Sequence, residues 1–102
     1  VNFGKMMKQV QQAQAKMAEV QEELRHETVE ASAGGGMVRV VMSGDLQVKS
    51  IEIDPSAIDP DEVELIGDTV AAAVNEALRA AQELAANKMA QVTGGMDIPG
   101  LM

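Results

Sequence analysis

The sequence contains no cysteine, no tryptophan and no tyrosine, and its one aromatic residue is Phe3. Without thiols there is no disulfide framework, thiolate metal site or cysteine nucleophile, which fits a reducing compartment. With one aromatic side chain, packing falls to aliphatic residues, methionine and alanine. No run of 18 apolar residues occurs, and the opening Val-Asn-Phe-Gly-Lys-Met-Met-Lys carries charge where a signal peptide needs an apolar stretch, so a cytoplasmic chain without a membrane partner is expected. Neither a nucleophile–base pair nor a cluster of metal ligands can be picked out, so no enzyme, cofactor or small-molecule substrate is expected.

The 102 residues that are there lie in the range of a single domain, assigned to residues 1–93, with 94–102 read as a flexible tail. A chain this short buries only about 60 to 70 % of its unfolded surface on folding. Eight Lys and Arg stand against 16 Asp and Glu, a formal charge of -8 whose sign points away from nucleic acid. The charge is not evenly spread. Residues 1–18 hold Lys5, Lys8 and Lys16 and no acid, whereas residues 19–102 hold five bases and all 16 acids. The average conceals a basic arm on an acidic body.

Phe3, Met6, Val10, Ala13, Met17, Val20 and Leu24 follow a 3-4-3-4 spacing, which predicts a helix over residues 3–26 with a seam that packs along its length. Such a seam also reads as an ordinary core stripe, and its Met and Ala content favours packing within a dimer over a free-standing coiled coil. Residues 28–33 and 37–42, divided by Gly34-Gly35-Gly36, predict a hairpin. The triplet is no phosphate loop, because Gly-Lys-Ser/Thr does not follow it. Ser43-Gly44-Asp45 turns the chain into a third strand over 46–54. Its apolar parity changes between Leu46/Val48 and Ile51/Ile53, which predicts a bulge near Lys49-Ser50 or burial on both faces, with Ile51 and Ile53 expected in the core.

Asp59-Pro60-Asp61-Glu62 supplies an N-cap, a proline at the first helical position and acids behind it, so a second helix is expected to run to about residue 92. Val63, Ile66, Val70, Val74, Leu78 and Leu84 are expected to face inward, the alanines between them allow close approach of a neighbour, and Gly94-Gly95 ends the helix. The fold class is therefore α+β, an α-β-β-β-α protomer with a three-stranded antiparallel sheet and two long helices. Helices of about 36 and 48 Å outrun strands of about 20 Å, and must project or meet a second subunit.

Several segments together resemble one family: Met7-Lys8-Gln9 with Gln11-Gln12 and Lys16-Met17, Gly34-Gly35-Gly36 followed by Val38 and Val40, Ile51-Glu52-Ile53-Asp54-Pro55-Ser56, Val70-Ala71-Ala72-Ala73-Val74-Asn75, Lys88-Met89 and Gly95-Met96. In this order they are similar to the YbaB/EbfC family over essentially the whole chain. The resemblance implies a tweezer-like homodimer that binds double-stranded DNA with little sequence preference, in association with the bacterial nucleoid, and takes part in nucleoid organisation and regulation of gene expression. It implies neither cofactor nor catalysis. It places DNA contact on the projecting helical parts, which here means the arm around Lys5, Lys8 and Lys16. A sequence pI near 4.4 sets this chain apart from more basic relatives.

On a helical wheel Lys5, Lys8, Gln9, Gln12 and Lys16 share one face, nearly opposite the apolar seam. Amines and amides contact phosphate oxygens without reading bases, so this face is the expected DNA site, against the plainer reading of a solvated face. Lysines at the start of a helix and Glu22, Glu23 and Glu27 at its end oppose the helix dipole, by roughly 0.3 to 1 kcal/mol for each terminal charge. Stability alone would place them the other way round. Met6, Val10, Met17, Ile51, Ile53, Val70 and Val74 are expected in the dimer interface or the core. His26 reads as a helix-end residue bonding the last carbonyls, and the acids of residues 54–64 read as caps because a calcium loop's spacing is missing. Arg39, Lys49 and Arg79 read as surface or ion-pair residues. The alternative function is a protein-interaction scaffold of the same fold with weak or no DNA binding.

Overall fold

The computed structural model describes residues 2–94. Helix α1 spans Phe3–His26, strands β1, β2 and β3 span Thr28–Ala33, Val38–Ser43 and Val48–Ile53, and helix α2 spans Val63–Gly94. The expected tail beyond Gly94 lies outside the described residues. Asn2 caps α1, its side-chain oxygen accepting from the Lys5 N–H at 3.2 Å. At the other end Glu27 turns extended while its N–H still donates to the Glu23 carbonyl at 3.1 Å. The chain therefore passes directly from helix into strand.

The sheet is antiparallel in the order β1-β2-β3. Gly34, Gly35 and Gly36 join β1 to β2 at φ of 66°, 66° and 93°, which glycine alone adopts without strain three times in succession. The parity change in the third strand is a bulge: Val41 pairs with Ser50 and Met42 with Val48, so Lys49 is the residue passed over. Leu46, expected at the start of that strand, lies in the preceding turn at φ 69°.

Helix α2 crosses one face of the sheet over β1 and β2. Its contact is made by Ala73, Ala77 and Ala81, one turn apart, against Val38, Val40 and Met42 of β2. Complete burial of the valine and methionine side chains stabilises by roughly 1.5 to 3 kcal/mol each. The larger residues Val70, Val74 and Leu78 pack at the flanks, half-buried. Val63 does not face inward; it is 65 % exposed, because a single turn of 3-10 helix at Pro60–Glu62 precedes α2 and its first turn lies clear of the sheet.

Cross-strand partners in an antiparallel sheet share a face, so the pairs Val38–Ile53, Val40–Ile51 and Met42–Val48 place all six side chains on the face that α2 covers. The helix does not reach across β3. Ile53 packs against the core, but Ile51 is 44 % exposed and Val48 is similarly open. The expectation of Ile51 in the core of the single chain is corrected on that account.

The protomer is long and thin, 71 × 26 × 16 Å, with a radius of gyration of 19.7 Å against about 13 Å for a compact chain of this size. The excess is the start of α1. Val20 and Leu24 are buried against the body, whereas Phe3, Met6, Val10 and Met17 are exposed, so the helix leaves the body near residue 19 and projects as an arm. Met6, Val10 and Met17 thus lie outside the core of the single chain.

Candidate nucleic-acid interface

The arm is about 17 residues, or roughly 25 Å, of helix. Lys5, Lys8, Gln9, Gln12 and Lys16 are all exposed along it; by helical spacing Lys5, Lys8 and Gln12 lie away from the seam, whereas Gln9 and Lys16 lie beside it. Lys16 Nζ lies 3.9 Å from Glu19 Oε2, a loose pair between side chains that are both mostly in solvent. Lys5 and Lys8 have no carboxylate within ion-pair distance among the described residues, and neither does Lys49 of the bulge.

The remaining cations are engaged. On the outer face of the sheet Arg39 joins Glu30 of β1, at 2.7 Å, to Glu52 of β3, at 3.2 Å. Arg79 pairs along α2 with Glu76 at 2.9 Å, and Arg25 pairs with Glu22 at the same distance. The Arg79 guanidinium, bonded to Glu76, holds that carboxyl below its ordinary value. Lys88 of α2 reaches α1, its Nζ 3.0 Å from Glu23 Oε2 and 3.1 Å from Glu27 Oε2. Its side chain is only 19 % exposed. The hydrogen bond goes to Glu23; Glu27 Oε2 is buried without a hydrogen bond, and its compensation is the ammonium charge beside it. The two carboxylates, Glu23 foremost, raise the Lys88 pKa above its ordinary value.

These pairs explain the acids at the end of α1. Glu23 and Glu27 clasp α2, and Glu22 accepts from Arg25 and lies 3.1 Å from His26 Nε2. His26 is therefore joined to a carboxylate, not to the last carbonyls. The Glu22 carboxyl is held below its ordinary value, first by the His26 hydrogen bond and then by the Arg25 charge. Asp54 accepts from the Ser56 N–H at 3.0 Å and hydroxyl at 2.8 Å, and Asp59 accepts from the Asp61 N–H at 2.9 Å. These acids cap turns, as their spacing suggested. At the start of α1 no such compensation exists among the described residues: its first turn holds no acid, so the lysines there remain opposed to the dipole.

Sequence reasoning missed the Lys88 clasp, whose partners stand 65 residues apart, and gave no signal for the isolation of Lys49. Among the described residues no group of three or more His, Asp or Glu is placed to hold a metal, and no helix is long and apolar enough to cross a membrane.

Residues 1–96 match the model of the YbaB/EbfC DNA-binding family. A nucleoid-associated protein of Thermoanaerobacter pseudethanolicus is 53 % identical over 100 residues, covering 98 % of this chain and 90 % of the relative. One from Desulforamulus reducens is 55 % identical over 100 residues, covering 98 % and 95 %. Among solved structures, an uncharacterized protein of Helicobacter pylori aligns with a TM-score of 0.74 over 85 % of this chain and 91 % of its own, at 21 % identity, which shows a shared fold. With the family model spanning the arm, the sheet and α2 together, the chain belongs to the YbaB/EbfC DNA-binding family.

Proposed function

We propose that the protein binds double-stranded DNA as a homodimer, mainly through phosphate contacts from the face of Lys5, Lys8, Gln9, Gln12 and Lys16, and that it organises the bacterial nucleoid and regulates gene expression from the cytoplasm, without catalysis or a cofactor. The observation that carries this reading is the division of the cations. Arg25, Arg39, Arg79 and Lys88 each sit within 3.2 Å of a carboxylate, whereas Lys5 and Lys8 project on an arm with no acid before Glu19. Amines already paired to carboxylates are poor phosphate ligands, and open amines on a projecting helix are good ones.

The dimer is assigned to the sheet side of the body. Val48 and Ile51 stand uncovered on the face that carries the core, and Ile58, Val63 and Leu65 are exposed around the start of α2. A small monomer leaves little apolar surface of this size open to water unless a partner covers it. A second subunit there leaves both arms projecting.

The test is the triple change of Lys5, Lys8 and Lys16 to Glu. The expected result is loss of the duplex gel shift with helicity and dimer mass preserved. Unchanged binding would exclude the arm as the site, and absence of binding by the unaltered protein at low salt would favour the scaffold reading.

A further inference from the structure

The arm has two faces, and the DNA reading uses only one. Opposite the lysines, Phe3, Met6, Val10 and Met17 form an apolar stripe at heptad spacing, Phe3 being 75 % and Met17 41 % exposed, and Val20 and Leu24 of the same seam are buried in the body. Water alone is a poor neighbour for a stripe of this length. Because Lys5, Lys8 and Gln12 point away from the stripe, with Gln9 and Lys16 at its margin, an occupant can cover the stripe while DNA lies on the other side.

Resting on the arm as the DNA site, we propose that the stripe packs antiparallel against the same stripe of a second copy, so that each arm pair presents two lysine faces in opposite directions and bridges two duplexes. Charge selects the second copy and the direction. Along α1 the lysines at 5 and 8 precede the acids at 19 and 22, so antiparallel arms set the basic end of one near Glu19 and Glu22 of the other, while Glu23 and Glu27 stay clasped by Lys88. Parallel arms would bring like ends, and two acidic bodies, together. In the antiparallel arrangement Met6 faces Met17 and Val10 faces Ala13 of the second copy, alternating as the two seam positions do when helices run in opposite directions. The positions flanking the stripe are Met7, Gln9, Gln14 and Lys16, so only one charge per arm lies beside the seam, and like-charge repulsion there is small.

Four such side chains bury roughly 400 to 500 Å² per arm, about half of what a stable interface needs from each partner. The pairing is therefore weak in free solution. It becomes populated when arms are concentrated side by side on DNA, where tethering raises the effective concentration toward millimolar.

The double change Met6→Gln with Val10→Gln tests this without altering charge. Beads carrying one duplex are incubated with protein and a second, dye-labelled duplex, and the dye retained on the beads is measured beside a gel shift of a single short duplex. The expected result is retention by the unaltered protein, a fall of at least about tenfold in the variant, and a single-duplex affinity within about twofold of the original. Retention that persists in the variant would overturn the proposal, since a dimer with two separate arms could bridge without pairing them. An equal fall in single-duplex affinity would also overturn it, because the stripe would then be part of the DNA contact.

Direction is read by cross-linking, which the cysteine-free sequence makes clean. With a short bis-maleimide, chains carrying Met6→Cys should join chains carrying Met17→Cys and should not join one another, two Met6 positions lying about 16 Å apart in the antiparallel pair. The reverse pattern would exclude the antiparallel arrangement. Run at high protein concentration without DNA, this measurement decides the pairing even if the gel shift shows that the arm does not bind duplex.

Discussion

A Cβ placed on Gly44 would stand 2.7 Å from the carbonyl oxygen of Leu24 and 2.8 Å from its Cδ2. Gly44 lies in the turn between β2 and β3, and its N–H donates to the Glu27 carbonyl at 2.9 Å, so this turn is pressed against the root of α1 where the arm leaves the body. Backbone cannot yield as a flexible side chain can. Gly44→Ala is expected to destabilise the fold by about 1 to 3 kcal/mol, the usual cost of forcing a methyl group into a packed site. Urea unfolding followed by circular dichroism measures it, and a midpoint equal to that of the unaltered protein would mean that the turn does not seat α1.

The seat of α2 is set by small residues. Ala73, Ala77 and Ala81 lie flat on β2, so enlarging the central one should lift the helix from Val38 and Val40. Ala77→Leu is expected to cost at least about 1 to 3 kcal/mol, whereas Val10→Ala on the arm should change protomer stability by less than about 0.5 kcal/mol. Equal effects at the two positions would contradict the division into body and arm.

These residues also mark how far the sequence can be read. The bounds of α1 and the glycine hairpin follow from local signals, heptad spacing and three successive glycines, and the bulge at Lys49 is one of the two readings that the change of parity left open. The alanine run indicated close approach, but not that alanine would be the contact itself while Val70, Val74 and Leu78 flank it. Hydrophobic size suggested the reverse, because single-sequence reasoning ranks side chains by apolar area and cannot know the spacing between helix and sheet. Ile51 misled for a related reason, since it shares the face of its partner Val40 and only the width of α2 leaves it bare. At the site, the basic character of the arm was legible as charge asymmetry. Which carboxylates would neutralise Arg39 and Lys88 was not, because both find partners on other elements.

Stability should have a plateau near neutrality and fall at both ends. Glu22, Asp54 and Glu76 are held below their ordinary values, Glu22 by His26 and Arg25, Asp54 by Ser56 and Glu76 by Arg79. A carboxyl depressed in the native state contributes fully above its unfolded value, 4.5 for Glu and 3.8 for Asp, and loses that contribution as pH falls through the native value. Lys88 has the opposite sign: its contribution is complete below 10.5 and is lost as pH rises through its raised native value. Thermal melts across this span should show Glu22→Gln flattening the acid limb and Lys88→Met flattening the alkaline one. An alkaline limb unchanged in Lys88→Met would mean that the clasp to Glu23 and Glu27 does not contribute to stability.

Duplex should be preferred over single strands. Tight binding of unpaired bases relies on aromatic platforms, and the only aromatic side chain is Phe3, on the side of the arm away from the lysines. Competition between labelled duplex and unlabelled single-stranded DNA of equal length checks this, and efficient displacement by the single strand would place the contact on bases rather than on phosphates.

Salt dependence tests whether an acidic protein can hold DNA through a short basic arm. Residues 19–102 carry five bases and 16 acids, so a body lying against the duplex would be repelled. An arm of roughly 25 Å keeps most of those acids beyond the screening length of about 8 Å at physiological salt, where their repulsion is largely muted while the lysines remain in contact. Two arms with three lysines each neutralise roughly 3 to 6 phosphates, so log K should fall with log salt at a slope of about -3 to -5. Lowering salt lengthens the screening distance and brings the acidic bodies into play, which should bend the line downward below about 0.02 M, where the screening length approaches the arm itself. A slope near zero would mean that phosphate neutralisation is not the source of affinity. A slope much steeper than -5 would require cations beyond the arm, and Lys49, which has no carboxylate partner among the described residues, is the first to change.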